Sequence, residues 1–184
     1  MVTVHTVPKD IADGVEKWVT GTKIPWFYFT HTLGHDLKGK RDVNQNAYTI
    51  VDMPRLTHYF FPNSKSAEQD RKYVMPLTEW VKRELLPGYT VERVMGNLTT
   101  PIIGADKFLN IPHMDSDNPN CTTFLYYVNS SDGKTVFFKD GLIDCQVDPI
   151  KGTGALFSSS TIHAGQLPSI NKNRFVINII FKRD

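Results

Sequence analysis

The sequence predicts a mainly β fold with flanking helices, and three observations carry that reading. From Tyr89 onward the chain passes through seven short stretches rich in β-branched and aromatic residues, separated by Gly, Pro, Asn and Asp. Helical patterns are confined to the first 88 residues and do not alternate with strands, which argues against a doubly wound parallel sheet. Strands at this spacing close into a sandwich, a barrel or a jelly roll. A length of 184 residues, 40% of them hydrophobic, suits a single domain over 1–184, with 1–88 as helical and loop support and 89–184 as the β core.

Taken in order, residues 10–20 predict a short helix and 66–86 a longer one. The longer segment has a capping box from Ser66 to Gln69, apolar positions at Val74, Leu77, Val81 and Leu85, and a stop at Pro87-Gly88. Pro76 falls inside it, which predicts a kink or two separate helices. Between the helices, 31–45 is rich in Gly, Lys, Asp and Asn and reads as an exposed loop, a candidate lid. The expected strands are 89–97, 107–115, 121–129, 134–139, 143–148, 153–158 and 174–182. Gly152 and Gly154 read as residues of turn geometry and not of a phosphate loop, because no helix follows them.

Two strands show what each face does. In 174–181 one face carries Phe175, Ile177, Ile179 and Phe181, while the other carries Arg174, Val176, Asn178 and Ile180. In 122–129 one face carries Phe124, Tyr126 and Val128, and the other Thr123, Leu125, Tyr127 and Asn129. The apolar rows are expected to pack on the helices. The mixed rows suit either a cavity wall or a wet outer face, and alternation alone does not choose.

Composition narrows the function classes. A formal net charge of +2 is too small to indicate a nucleic-acid or anionic-membrane partner. No apolar run is long enough to span a membrane, and the first ten residues do not read as a signal peptide, so a soluble, cytoplasmic protein is the expectation. Cys121 and Cys145 are the two cysteines, without C-x-x-C spacing, and read as reduced thiols.

The chemistry-bearing residues are His113, Asp115 and His163. An imidazole and a carboxylate two residues apart on a strand share a face and can meet one ion. A second imidazole completes a two-His, one-carboxylate set that leaves open positions on a ferrous ion. The H-x-D motif by itself is weak, since 6 histidines and 14 aspartates in this length produce one by chance about 40% of the time. Its context is stronger: Arg174 follows His163 and opens a buried-looking strand, where a guanidinium calls for a carboxylate. Asp117 is a second candidate carboxylate, although 116–120 reads as a turn. His5, His31, His35 and His58 lack partners at strand spacing and are assigned no role.

The stretches "PHMDSDNPNCTTFLYYVN" (112–129), "KTVFFKDG" (134–141), "VDPIKGTGALFSSSTIHAG" (147–165) and "NRFVINIIF" (173–181) together resemble the 2-oxoglutarate and iron(II)-dependent oxygenases, most closely the prolyl hydroxylase branch. The resemblance implies a double-stranded β-helix (jelly-roll, cupin-like) core with His113, Asp115 and His163 as the iron ligands. It further implies Arg174 as the partner of the far carboxylate of 2-oxoglutarate, with Tyr127 as a hydroxyl partner and Thr123 and Asn178 on the cosubstrate pocket. Oxygen-sensing relatives carry a tyrosine about ten residues before the H-x-D histidine. Ile102, Ile103 and Gly104 occupy that region here. The implied activity is a dioxygenase using Fe(II), 2-oxoglutarate and O2 to hydroxylate a C–H bond, with a peptidyl residue such as proline as substrate and succinate and CO2 as products. The same chemistry on a small molecule or nucleobase, and a non-catalytic metal-binding jelly roll, are the alternatives. For a viral member the implied location is the host cytoplasm.

Overall fold

The computed structural model describes residues 1–30, 48–61, 67–170 and 172–183. Its elements in chain order begin with β1 (Thr3–Thr6), α1 (Lys9–Val19), β2 (Phe27–Phe29), β3 (Thr49–Val51), β4 (Arg55–Phe61), α2 (Ala67–Glu84) and β5 (Tyr89–Thr99). They continue with β6 (Phe108–Asn110), β7 (Cys121–Tyr127), β8 (Thr135–Lys139), β9 (Leu142–Val147), β10 (Thr153–Ser158), β11 (His163–Gly165) and β12 (Arg174–Arg183). The candidate lid at 31–45 and the capping-box residue Ser66 lie outside the described residues.

Seven strands form the larger sheet in the order β1-β10-β7-β12-β5-β4-β2, all antiparallel. A smaller sheet, β11-β8-β9, faces it, and the parallel pair β3-β6 joins its edge through single bridges at Leu109–Gln166 and His113–His163. This is the expected mainly β fold with flanking helices and a jelly-roll core. The N-terminal half supplies more than helices and loops, because β1 closes one edge of the larger sheet while β4 and β2 extend the other.

The two faces of the larger sheet divide as the alternation predicts. Phe124 and Tyr126 of β7 and Ile177, Ile179 and Phe181 of β12 are fully buried against Val15 and Val19 of α1 and Val74, Leu77 and Val81 of α2. Each such side chain contributes about 1.5–3 kcal/mol on burial, so this layer dominates the hydrophobic stabilisation of the fold. On the opposite face Leu125, Tyr127, Ala155 and Val176 meet Phe137 of the smaller sheet and close one end of the space between the sheets. The mixed rows of β7 and β12 therefore face an interior cavity and not solvent.

Pro76 does not divide α2, which runs unbroken from Ala67 to Glu84. Val74, Leu77 and Val81, on both sides of the proline, are held in the same core, so packing offsets the missing backbone hydrogen bond. The expected strand at 107–115 shortens to β6, because Pro112 has no N–H to give to a ladder. Gly152 has a turn conformation with φ +78°, as expected. Gly154 is a different case: it lies inside β10, where a Cβ would collide with the Phe124 ring. No helix among the described residues is long and apolar enough to cross a membrane.

His58 on β4 is buried, and its partners tie the helices to the sheet. Its Nδ1 donates to the Pro25 carbonyl at 2.8 Å, and its Nε2 lies 3.0 Å from Asp70 Oδ2 on α2. The other Asp70 oxygen accepts from Trp18 Nε1 of α1 at 3.2 Å. Side-chain exposure is 2% for His58 and 0% for Asp70, so removing the carboxylate takes the partner from buried His58 and part-buried Trp18 at once. Asp70→Ala is expected to destabilise the protein by about 3 kcal/mol, with the secondary structure intact, as read by urea denaturation followed by circular dichroism.

Candidate active site

Backbone hydrogen bonds assemble the site before any side chain contributes. His113 N donates to His163 O at 3.0 Å and His163 N to His113 O at 2.9 Å, a reciprocal antiparallel pair that puts both imidazoles on one face. Asp115 N and Ser116 N both donate to Ser159 O, at 2.9 and 3.1 Å, which pins the segment after β6 against the end of β10. The two imidazole centroids are 4.7 Å apart, and one ligand atom from each of His113, Asp115 and His163 lies within 4.8 Å of the others. Asp117 is exposed and outside this cluster.

Neighbouring groups set each ligand's protonation. Nδ1 of His113 lies 3.0 Å from the Ile111 carbonyl and Nδ1 of His163 3.0 Å from the Thr161 carbonyl. A carbonyl only accepts, so both Nδ1 atoms carry the proton and both Nε2 lone pairs are free to bind a metal. Burial, reinforced by His163, lowers His113 to about 4, so it is neutral at pH 7. Burial pushes the Asp115 carboxyl up, but His163, His113, the Asn178 amide and Arg93 together outweigh it and hold the group below its usual value.

The Asp115 carboxylate is clamped on several sides. Thr123 Oγ1 donates to Oδ2 at 2.9 Å, and Asn178 Nδ2 donates to Oδ1 and Oδ2 at 3.0 and 2.9 Å. Because the single Thr123 proton is committed, the Ser159 hydroxyl at 2.9 Å is the donor to Thr123 Oγ1. The structure thus places Thr123 and Asn178 on the metal-cluster carboxylate. Asn178 also lines the cavity, whereas Thr123 is not among its lining residues.

Arg174 enters the same cavity from the first position of β12 and is 6% exposed. Its Nε donates to Gly133 O at 2.7 Å and its Nη2 to Thr135 Oγ1 at 2.8 Å. Among the described residues no carboxylate pairs with it, and burial pushes its pKa down while Tyr127 works the other way. The Tyr127 ring lies beside the guanidinium, 5.9 Å from its central carbon, and its hydroxyl donates to Thr135 Oγ1 at 2.9 Å. Two glycines leave room here. A Cβ on Gly133 would come 2.6 Å from Gln166 O and 3.0 Å from Arg174 Cδ, and one on Gly165 would touch Arg174 Nη1 at 3.5 Å.

Thr135 is a site residue that sequence reasoning missed. Its oxygen accepts from both Arg174 and Tyr127, so its own proton is free to donate into the cavity. The available signal was its alternation with Phe137 on β8, which puts both on the inner face. Asn97, Thr99 and Asn110, also lining the cavity, were missed as well and carry no sequence motif.

No protein-family model matches the chain and no curated protein matches it in sequence. Solved structures share its fold. An oxidoreductase of the 2OG-Fe(II) oxygenase family from Burkholderia pseudomallei superposes with a TM-score of 0.64 at 12% identity, over 100% of this chain and 86% of that one. A prolyl hydroxylase from Trichoplax adhaerens, in complex with a hypoxia inducible factor peptide fragment, superposes at 0.62 and 14% identity, over 98% and 83% of the two chains. HygX from Streptomyces hygroscopicus, with nickel, 2-oxoglutarate and hygromycin B bound, superposes at 0.60 and 8% identity, over 99% and 82%. At these identities the likeness is one of fold, and the His-Asp-His cluster is a property of this chain's own geometry.

The lowered His113 value makes metal-free stability depend on pH. Below the ordinary value of 6.5 the unfolded chain takes up a proton that the folded chain refuses until about 4, so protons favour unfolding across that window. Stability of the metal-free protein is expected to fall as pH drops from 6.5 towards 4, and less steeply in His113→Asn. Urea midpoints measured across that range would check it.

Proposed function

We propose that this chain is an iron(II)- and 2-oxoglutarate-dependent dioxygenase that hydroxylates a substrate C–H bond, a peptidyl residue such as proline, with release of succinate and CO2. One observation carries the reading: a two-His, one-carboxylate cluster and a buried arginine with no carboxylate partner among the described residues line the same cavity. A cation site and an anion site sharing one cavity suit a metal-chelating dicarboxylate. A module that only binds metal has no use for the second.

The donor set fits a ferrous ion, with Nε2 of His113, Nε2 of His163 and a carboxylate oxygen of Asp115 on one side and the other side open. Bound there with 2-oxoglutarate and O2, the ion supplies the oxidative decarboxylation that drives C–H hydroxylation. The chain's own residues do the positioning. Thr123 and Asn178 fix the Asp115 carboxylate, and the Ile111 and Thr161 carbonyls fix the tautomer and plane of each imidazole. Arg174 holds the far carboxylate of the keto acid, with Tyr127 supporting it through Thr135 and the Thr135 proton as a second donor to the same carboxylate. Met95, Leu125 and Val176 line the cavity and keep water off the reacting atoms. The two free thiols, Cys121 and Cys145, suit the reducing cytoplasm in which ferrous iron is retained.

The test is succinate formation by protein reconstituted anaerobically with iron(II) and 2-oxoglutarate, then exposed to air with and without proline-containing peptides. His113→Ala is expected to lose turnover entirely. Arg174→Ala is expected to raise the KM for 2-oxoglutarate by about 100-fold, corresponding to roughly 3 kcal/mol, with turnover rescued by excess cosubstrate. Calorimetry showing that neither iron nor 2-oxoglutarate binds would overturn the assignment.

A further inference from the structure

Beside the metal cluster, a second recess is lined by Arg55, Tyr59, Arg93, Met95 and Met114 together with His113 and Asp115. It shares Arg55, Met95, His113 and Asp115 with the main cavity but lacks Arg174 and Thr135, so it extends from the cluster away from the anion end. The cross-strand register joins these residues on the inner face of the larger sheet. Thr57 of β4 opposes Asn97 and Tyr59 opposes Met95, which carries Arg55 and Arg93 onto the same wall by alternation.

Both guanidinium groups are incompletely satisfied. The Nε atoms of Arg55 and Arg93 are buried and have no hydrogen-bond partner. Arg93 Nη2 reaches Asn178 Oδ1 at 3.4 Å and Asp115 Oδ1 at 3.8 Å. Among the described residues Arg55 makes no ion pair. Asp115 and Asp52 are the carboxylates that act on it from a distance, Arg93 opposes them, and burial works against its charge. The charges around the cluster do not balance. Among the described residues three guanidinium groups, those of Arg55, Arg93 and Arg174, line the two recesses against one carboxylate, Asp115, with Asp52 acting on Arg55 from outside them, so positive charge is in excess. A buried donor without an acceptor costs stability unless something outside the chain supplies the partner.

We propose that Arg55 and Arg93 form the substrate-selecting site: a paired guanidinium fork on the inner wall that grips a carboxylate on the substrate, next to the carbon presented to the metal. The planar forks match a carboxylate in geometry as well as charge. An acidic side chain adjacent to the target residue in a peptide and the α-carboxylate of a free amino acid share this chemistry. The inference rests on the oxygenase reading for what happens to the bound substrate, but the anion preference itself does not.

The experiment uses nickel-loaded protein with 2-oxoglutarate, which cannot turn over, and in parallel the metal-free protein. Calorimetry compares capped peptides with Glu or Gln on either side of a central proline, and free L-proline against L-prolinamide. The acidic member of one pair is expected to bind at least tenfold more tightly, and which pair responds identifies the source of the carboxylate. Arg55→Met and Arg93→Met are each expected to remove that preference in protein that still binds 2-oxoglutarate. Arg55→Met is also expected to leave the melting temperature unchanged or raised, where a purely structural arginine would lower it. Equal binding of acid and amide, or no binding of either in protein that binds 2-oxoglutarate, overturns the inference, as does a loss confined to 2-oxoglutarate in the arginine variants. Failure of wild-type protein to bind 2-oxoglutarate with nickel would instead count against the oxygenase reading, and the acid-over-amide comparison in metal-free protein would still decide the arginine pair.

Discussion

The reciprocal backbone hydrogen bonds between His113 and His163 are the constraint on which the site depends. The segment between β6 and β7 has no regular strand of its own, and this one bonded pair fixes it to the smaller sheet. Residues opposite each other in such a pair carry their side chains on the same face, which brings the two imidazoles together from distant parts of the chain. The Ser159 carbonyl, receiving both Asp115 N and Ser116 N, completes the attachment and turns the carboxylate towards the imidazoles. The ligand set is therefore preorganised by the main chain, and an arriving ion does not have to order it.

Around that point the larger sheet performs two incompatible tasks by using its two faces. The outer face of β7 and β12 is apolar and packed on the helices, which locks the register. A slip of one residue would put Phe124, Ile177 and Ile179 into the cavity and Thr123, Arg174 and Asn178 into the core. The inner face then holds buried polar groups that are mostly satisfied: Thr123 and Asn178 by Asp115, Arg174 by Gly133 and Thr135. Arg55 and Arg93 depart from that pattern, each with a buried unpartnered Nε on the wall next to the cluster. Arg174 Nε and Nη2 thus both have acceptors, whereas Nε of Arg55 and of Arg93 has none.

Much of the fold was legible from Tyr89 onward because strands packed on one face alternate cleanly, as in Phe175, Ile177, Ile179 and Phe181. The N-terminal strands were not. β1 and β2 are edge strands of four and three residues, too short to show a period, and β4 carries Arg55, Thr57 and Tyr59 on the face that turns inward. A strand whose inner face lines a polar cavity does not display the apolar row that normally announces one. β11 is three residues long and is defined by its partner β8 and not by its own composition. His58 shows the same limit. Nothing in the sequence around it separates a surface histidine from one fully buried against Asp70, twelve residues away on another element.

The sequence by itself determined the local quantities: where apolar residues recur, which residue types able to bind a metal or a carboxylate exist, and which of them lie two apart on one strand. Those facts, with the resemblance of the surrounding stretches, singled out His113, Asp115, His163 and Arg174 as candidates. The tertiary structure decided what depends on distant neighbours: which oxygen Thr123 and Asn178 address, that Thr135 stands between Arg174 and Tyr127, and that Arg55 and Arg93 face the cluster each with a buried Nε that has no hydrogen-bond partner. The reason is physical. A side chain's donor, acceptor and charge are fixed by its covalent structure, but whether they are satisfied is fixed by burial and by partners that only the folded chain brings within reach.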